Sequence, residues 1–184
     1  MASDQQLLGN LVDRARDCDP DAWEALYRGA YPKLFVYARR RLATDDQADD
    51  AVSEAMTRAI DAIDRFTLGP SGVDGWLFGI LRNVVLEIYR RNGRAAPGAL
   101  GGDERATAEA GPLDTVLARE ERHRVRAAFD RLRPEDREVL ELRIIGALDA
   151  DAAGTVLGKR PGAVRMAQSR ALGRLKVLLA EDVG

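Results

Sequence analysis

Between Gly158 and Lys176 the chain reads GKRPGAVRMAQSRALGRLK, six Lys or Arg with no carboxylate. Cations at that density suit phosphates, and the Arg fork also matches guanine edges. Helical spacing gathers Val164, Ala167, Ala171, Leu175 and Leu178 into one inward stripe. Arg165, Met166, Ser169 and Arg170 are then left facing outward, with Lys159 and Arg160 at the mouth of the helix. In a helix-turn-helix the early residues of the second helix enter the major groove. Lys159 and Arg160 would take phosphates, helped by the helix N-terminus. Ser169 and Arg170 would reach base edges. A solvated face usually mixes signs, and this one does not.

A second set is acidic. Asp49, Asp50, Ser53, Glu54, Thr57 and Asp61 fall on one side of a helix that begins at TDDQ. Ala48, Ala51, Val52, Ala55, Met56, Ala59, Ile60 and Ile63 form the apolar stripe on the other side. Thr44 and Gln47 fit a capping box, and acids in the first turn suit the helix dipole.

The elements around these sets are all helical. Helices are predicted over about 4–17 and 20–42, the latter interrupted near Pro32, which cannot donate to the ladder. The acidic helix is followed by a loop, DRFTLGPSGVD, and a helix over about 74–91 that buries Leu77, Ile80, Leu81, Val84 and Ile88. Residues 92–113 hold five Gly and two Pro and read as a flexible linker. Beyond it come helices over 113–131, from Pro134, over 149–157 with Gly158 as C-cap, and over 161–180. The fold class is therefore all-α, two small helical domains (1–91 and 114–184) joined by that linker, the second carrying a helix-turn-helix.

Composition narrows the function. A 184-residue chain with 46% hydrophobic residues buries real cores, and no apolar run approaches a membrane span. Cys18 is the only cysteine and His123 the only histidine, which argues against an internal disulfide or a metal site, and mildly for a reducing compartment. No phosphate loop and no nucleophile with a histidine partner is present, so neither an enzyme nor a cofactor is expected. Net charge is −2, yet residues 114–184 hold 14 basic and 12 acidic groups against 12 and 15 in residues 1–91.

The order of these segments resembles a family, the extracytoplasmic-function sigma factors of bacterial RNA polymerase. FVYARRRLATDDQADDAVSEAM is similar to regions 2.1–2.2, WLFGILRNVVLEIYRRNGR to regions 2.3–2.4, and LRPEDREVLELRIIGALDADAAGTVLGKRPGAVRMAQSRALGRLK to region 4. The resemblance implies a cytoplasmic protein that directs core RNA polymerase to promoter DNA, with an anti-sigma factor as a further partner by family habit. Asp49, Asp50, Ser53 and Glu54 would dock on the clamp helices of the largest polymerase subunit. Arg65, Phe66, Asn83 and Arg90 would meet unstacked bases of the minus-10 element. Asn83, Glu87 and Arg90 share a helical stripe suited to tracking a strand. Lys159, Arg160, Arg165, Met166, Ser169 and Arg170 would read the minus-35 element. For Phe66, core packing and base stacking are equally open readings; Trp76 and Leu77 read as core. A helix-turn-helix regulator that works without core polymerase would explain 114–180, but not a separate body with an acidic face. An adaptor that binds other proteins through that acidic face would not use DNA at all.

Three positions depart from the family pattern. Ser53 stands where Gln is usual, and Glu87 where Asp is frequent. Ala152-Ala153-Gly154 replaces the usual Glu-Ile-Ala of the first helix of the helix-turn-helix. Gly inside a helix costs ~1 kcal/mol relative to Ala, and Ile reduced to Ala in a core costs ~2–5 kcal/mol unless neighbours close in. The second body is thus expected to be loose or to lean on a partner.

Overall fold

The computed structural model describes residues 2–92 and 114–181, and all regular structure among them is helical. The helices are α1 (Ala2–Arg16), α2 (Pro20–Arg39), α3 (Asp45–Ala62), α4 (Gly72–Arg91), α5 (Asp114–Asp130), α6 (Pro134–Leu140), α7 (Ala150–Leu157) and α8 (Pro161–Glu181). A 3₁₀ turn, Ile63–Arg65, extends α3, and a wider π turn, Glu141–Ile145, extends α6. The predicted linker lies, from residue 93 onward, outside the described residues.

Local chemistry starts and stops these helices as expected, with one exception. Asp19 caps α2 by accepting from the backbone N–H groups of Asp21 and Ala22. Thr44 caps α3 by accepting from the Gln47 N–H at 3.2 Å, and the Gln47 amide oxygen accepts from the Ala43 N–H. Gly158 ends α7 in the left-handed region, φ 64°. The exception is Pro32, which lies inside an unbroken α2. The buried stripe Ala30, Leu34, Tyr37 and Ala38 continues on both sides of it, and that packing outweighs one missing ladder bond.

The first body is a bundle of α1–α4. Four alanines of α3 (Ala48, Ala51, Ala55, Ala59) are almost wholly buried, which lets α2 and α4 approach on either side. Phe78 meets Tyr37 edge-on at 5.5 Å, and Leu77, Leu81, Val84 and Val85 complete the core from α4. Ile80 and Ile88, expected inside, are only half-buried.

In the second body, α5, α6 and α8 share a small core of Leu132, Leu140 and Ala171 with Phe129, Leu175 and Leu178. Asp136 ties α6 to α8 through Arg174 at 2.6 Å. The helix α7 behaves differently. Its Ala150, Ala152, Ala153 and Val156 join the core of the first body, together with Leu142, Leu148 and Val164. It packs directly on α4, so closely that a Cβ on Gly75 would stand 3.0 Å from the Ala152 Cβ.

The small residues of α7 do lean, but on the other half of the same chain rather than on a separate partner. A side chain of Ile size at position 153 would have no room, because Ala153 is completely buried against that surface.

Charges seal the contact. Glu141, in the π turn, accepts from Arg40 at 2.7 Å and pairs with Arg41, whose guanidinium lies 3.6 Å over the Tyr37 ring. Arg82 of α4 reaches Glu138 of α6 at 2.9 Å.

Gly154 also changes meaning. A Cβ there would stand 2.5 Å from the Lys159 carbonyl oxygen, a fixed backbone atom of the helix-turn-helix turn. Helix propensity alone says that Gly154→Ala stabilises by ~1 kcal/mol. The close approach reverses the sign: the substitution is expected to destabilise by about 1–3 kcal/mol, the usual range for overpacking. Urea unfolding of the two forms checks it, and a higher midpoint for the alanine form would disprove the packing argument.

Candidate functional site

α8 presents the cationic set as its spacing predicts. Val164 and Ala171 are buried, and Ala167, Leu175 and Leu178 are half-buried against the rest of the body. Lys159, Arg160, Arg165, Met166, Ser169 and Arg170 are all exposed. Met166 keeps 60% of its surface in solvent, although it is apolar. α7 and α8 are joined by the tight turn at Gly158, so the first half of α8 projects past α7 as in a helix-turn-helix. Arg143 braces this arrangement: it donates to the Gln168 side chain at 2.8 Å and to the Leu148 carbonyl just before α7.

The acidic set is split by the structure. Asp50, Ser53 and Glu54 are exposed on α3. Asp49 is half-buried and accepts a hydrogen bond from the Tyr31 hydroxyl. That bond to a carboxylate pushes the tyrosine up to about 12. Asp49 thus differs from the freely solvated residue expected on that face, because α2 leans over the start of α3.

Of the residues expected to meet the minus-10 strand, Arg65 ends the 3₁₀ turn after α3, Phe66 follows it, and Asn83 and Arg90 lie on α4. Arg65, Asn83 and Arg90 are exposed. Phe66 resolves to the core reading: it is 8% exposed, and its ring stacks on Trp76 at 4.3 Å. The Arg16 guanidinium donates to the Phe66 carbonyl and holds that loop down on α1. Phe66 therefore offers no free ring face here. Trp76, expected in the core, is the aromatic that reaches the surface, since it is half-buried and lines a cavity of about 300 Å³ with Arg58, Ala62, Ile80, Asn83, Glu87 and Arg90. The cavity thus brings one aromatic ring together with four polar side chains.

A larger groove of about 790 Å³ runs between α3 and α4, past Gln47, Asp50, Glu54, Val84, Ile88 and Arg91. Arg58, Glu87 and Arg90 border both spaces. Arg58 donates to both oxygens of Glu87, at 2.8 and 2.7 Å, and to Glu54 at 2.8 Å. This fork holds the Glu87 carboxyl below the usual carboxylate range. Sequence reasoning passed over Arg58. It lies 29 residues from Glu87, and no local pattern announces such a pair.

The model of Sigma-70 region 2 matches residues 26–95. The ECF RNA polymerase sigma factor EcfG of Rhodopseudomonas palustris is 35% identical over 159 residues, which cover 84% of this chain and 86% of that protein. The ECF RNA polymerase sigma factor BldN of Streptomyces coelicolor is 30% identical over 181 residues, covering 98% of this chain and 69% of that one. This chain belongs to the extracytoplasmic-function sigma factors of the sigma-70 family. Its role is in transcription initiation.

A solved structure of the Bartonella quintana sigma factor RpoE in complex with the anti-sigma factor NepR superposes with a TM-score of 0.65 at 25% identity, covering 85% of this chain and 96% of that one. α3, α4 and most of α2 of this sigma factor, with the Arg58–Glu87 wall and the acidic face, fall within the matched region 2 segment. The helix-turn-helix of α7 and α8 lies beyond it. Among the described residues no helix is long and apolar enough to cross a membrane.

Proposed function

We propose that the two sets of surface residues divide promoter reading between them while α3 docks on core polymerase. α8 reads the minus-35 duplex: Lys159 and Arg160 take phosphates, while Arg165, Met166, Ser169 and Arg170 face the major groove. Arg65, Asn83 and Arg90 track the unpaired minus-10 strand, with the cavity beside Trp76 receiving one base. Asp50, Ser53 and Glu54 of α3 dock on core polymerase, with Asp49 held in place by Tyr31. The observation that carries this reading is the first half of α8, whose outward face is wholly exposed and free of carboxylates. An anti-sigma factor fits as a regulatory partner by analogy with the Bartonella protein, which was solved with one.

The test is transcription in vitro with purified core polymerase, on promoters that vary in the minus-35 element. Arg170→Ala is expected to lower initiation by an amount that depends on the minus-35 sequence, because a base-edge interaction discriminates by ~1–3 kcal/mol. Lys159→Ala should weaken all promoters alike and reduce the log–log salt slope by about 0.9, the signature of one phosphate that is no longer neutralised. Equal losses on every variant for Arg170→Ala would remove that residue from the reading set. No promoter-specific initiation by the wild-type protein with core polymerase would overturn the division of labour as a whole.

A further inference from the structure

Glu87 is an awkward residue for a surface that follows a nucleic-acid strand. It lies on the same stripe of α4 as Asn83 and Arg90, four residues after one and three before the other, and it borders the cavity that both of them line. Arg90 and Arg91 follow it at helical spacings that favour ion pairs. Yet among the described residues neither of these arginines lies within ion-pair distance of a carboxylate; both Glu87 oxygens receive N–H groups from Arg58 on the neighbouring helix, and Arg90 and Arg91 act on that carboxylate only through space. A bidentate guanidinium–carboxylate pair has a fixed plane and direction, so it also decides which way Glu87 points.

We propose that Arg58 is a positioning residue for strand binding: by occupying the Glu87 carboxylate it keeps Arg90 and Arg91 available to phosphates. This rests on the reading that α4 tracks the minus-10 strand. Arg58 is suited to the task because its donors are already spent on carboxylates, although it borders the same cavity. Its Nε faces Glu54 on the polymerase side of α3, while its two terminal nitrogens face Glu87. Without Arg58, Glu87 would turn to Arg90 or Arg91 and withdraw a cation from the DNA. The loss would be electrostatic and indirect, and it would be cured by removing the Glu87 charge.

The experiment uses holoenzyme assembled from the full chain and core polymerase. The probe is a forked DNA with a single-stranded non-template arm, and binding is titrated over salt concentration. Arg58→Ala is expected to weaken binding about three- to thirtyfold at physiological salt. It should also flatten the log–log salt slope by about 0.7, the share of one neutralised phosphate on a single strand. Adding Glu87→Gln to Arg58→Ala should restore both the affinity and the slope. Thermal unfolding of the single and double variants provides the control, since both lack the same α3–α4 ion pair. If the double variant binds as poorly as Arg58→Ala, Arg58 acts through α3–α4 packing or by touching DNA itself, and the proposal is overturned. An unchanged slope in Arg58→Ala overturns it as well. Wild-type holoenzyme that ignores the single-stranded arm would instead remove the minus-10 reading on which the proposal stands.

Discussion

Glu141→Ala should lower the free energy of unfolding by about 3–5 kcal/mol, the range seen when one partner of a buried ion pair is removed. Glu141 is 5% exposed and Arg41 is 7% exposed. Without the carboxylate, the Arg41 guanidinium stays trapped over the Tyr37 ring, with the Tyr37 carbonyl as its hydrogen-bond acceptor. Arg40 is better placed, because it is half-exposed and has Asp130 3.9 Å away.

The penalty falls on the contact between the two bodies, where Glu141 of the π turn meets the end of α2. Part of the population should therefore separate before either bundle melts. Urea unfolding followed by helical circular dichroism, with the radius of gyration from solution scattering, checks this. A larger radius at unchanged helicity is the expected first event. The double substitution Arg41→Met with Glu141→Leu should recover most of the stability, since apolar replacement of a buried ion pair is often neutral or favourable. If the single substitution costs less than ~1 kcal/mol, the pair does not hold the bodies together.

The contact also bears on promoter use. Minus-10 and minus-35 elements lie about 85 Å apart along a duplex with a ~3.4 Å rise per base pair, whereas a packed chain of this size has a radius of gyration of only ~16 Å. On the proposed division of promoter reading, the two bodies must part to read both elements at once, so Glu141→Ala should ease that step while it lowers stability.

Asp50→Lys combined with Ser53→Lys is expected to reduce affinity for core polymerase by about a hundredfold or more. Placing cations where an acidic surface meets a basic partner sets like charges against each other, at a cost of several kcal/mol. Both residues are exposed and lie opposite the buried alanines of α3, so the fold should be spared, with stability within about 0.5 kcal/mol of the wild type. Asp49 is left out because its bond to Tyr31 would make any loss ambiguous. Glu54 is left out because it belongs to the Arg58 fork. Sedimentation or surface-capture binding to core polymerase reads the result. Undiminished binding by a folded double variant would move the docking surface elsewhere.

Much of this protein was decided along the chain. Helical periodicity placed all eight helices within a few residues, with α2 expected to be interrupted, because one-sided burial leaves a 3.6-residue imprint in the sequence. Capping at Thr44 and Gly158 was equally legible, since those interactions are made within four residues. The outward face of α8 followed from the same periodicity, and the order of motifs pointed to the family.

What tertiary structure alone decided lies in contacts between distant segments. Pro32 fails to break α2 because buried packing on both sides of it keeps the helix continuous. Phe66 is buried because Trp76 covers it. Ala152 and Gly154 read as weaknesses in an isolated helix-turn-helix, and they become requirements once α4 and the Lys159 carbonyl stand against them. Arg58 could not be singled out, because its partner is 29 residues away on another helix. Periodicity records which face of a helix is inside. It carries no record of which other segment covers that face, and the energies of close approach and charge pairing depend on that neighbour.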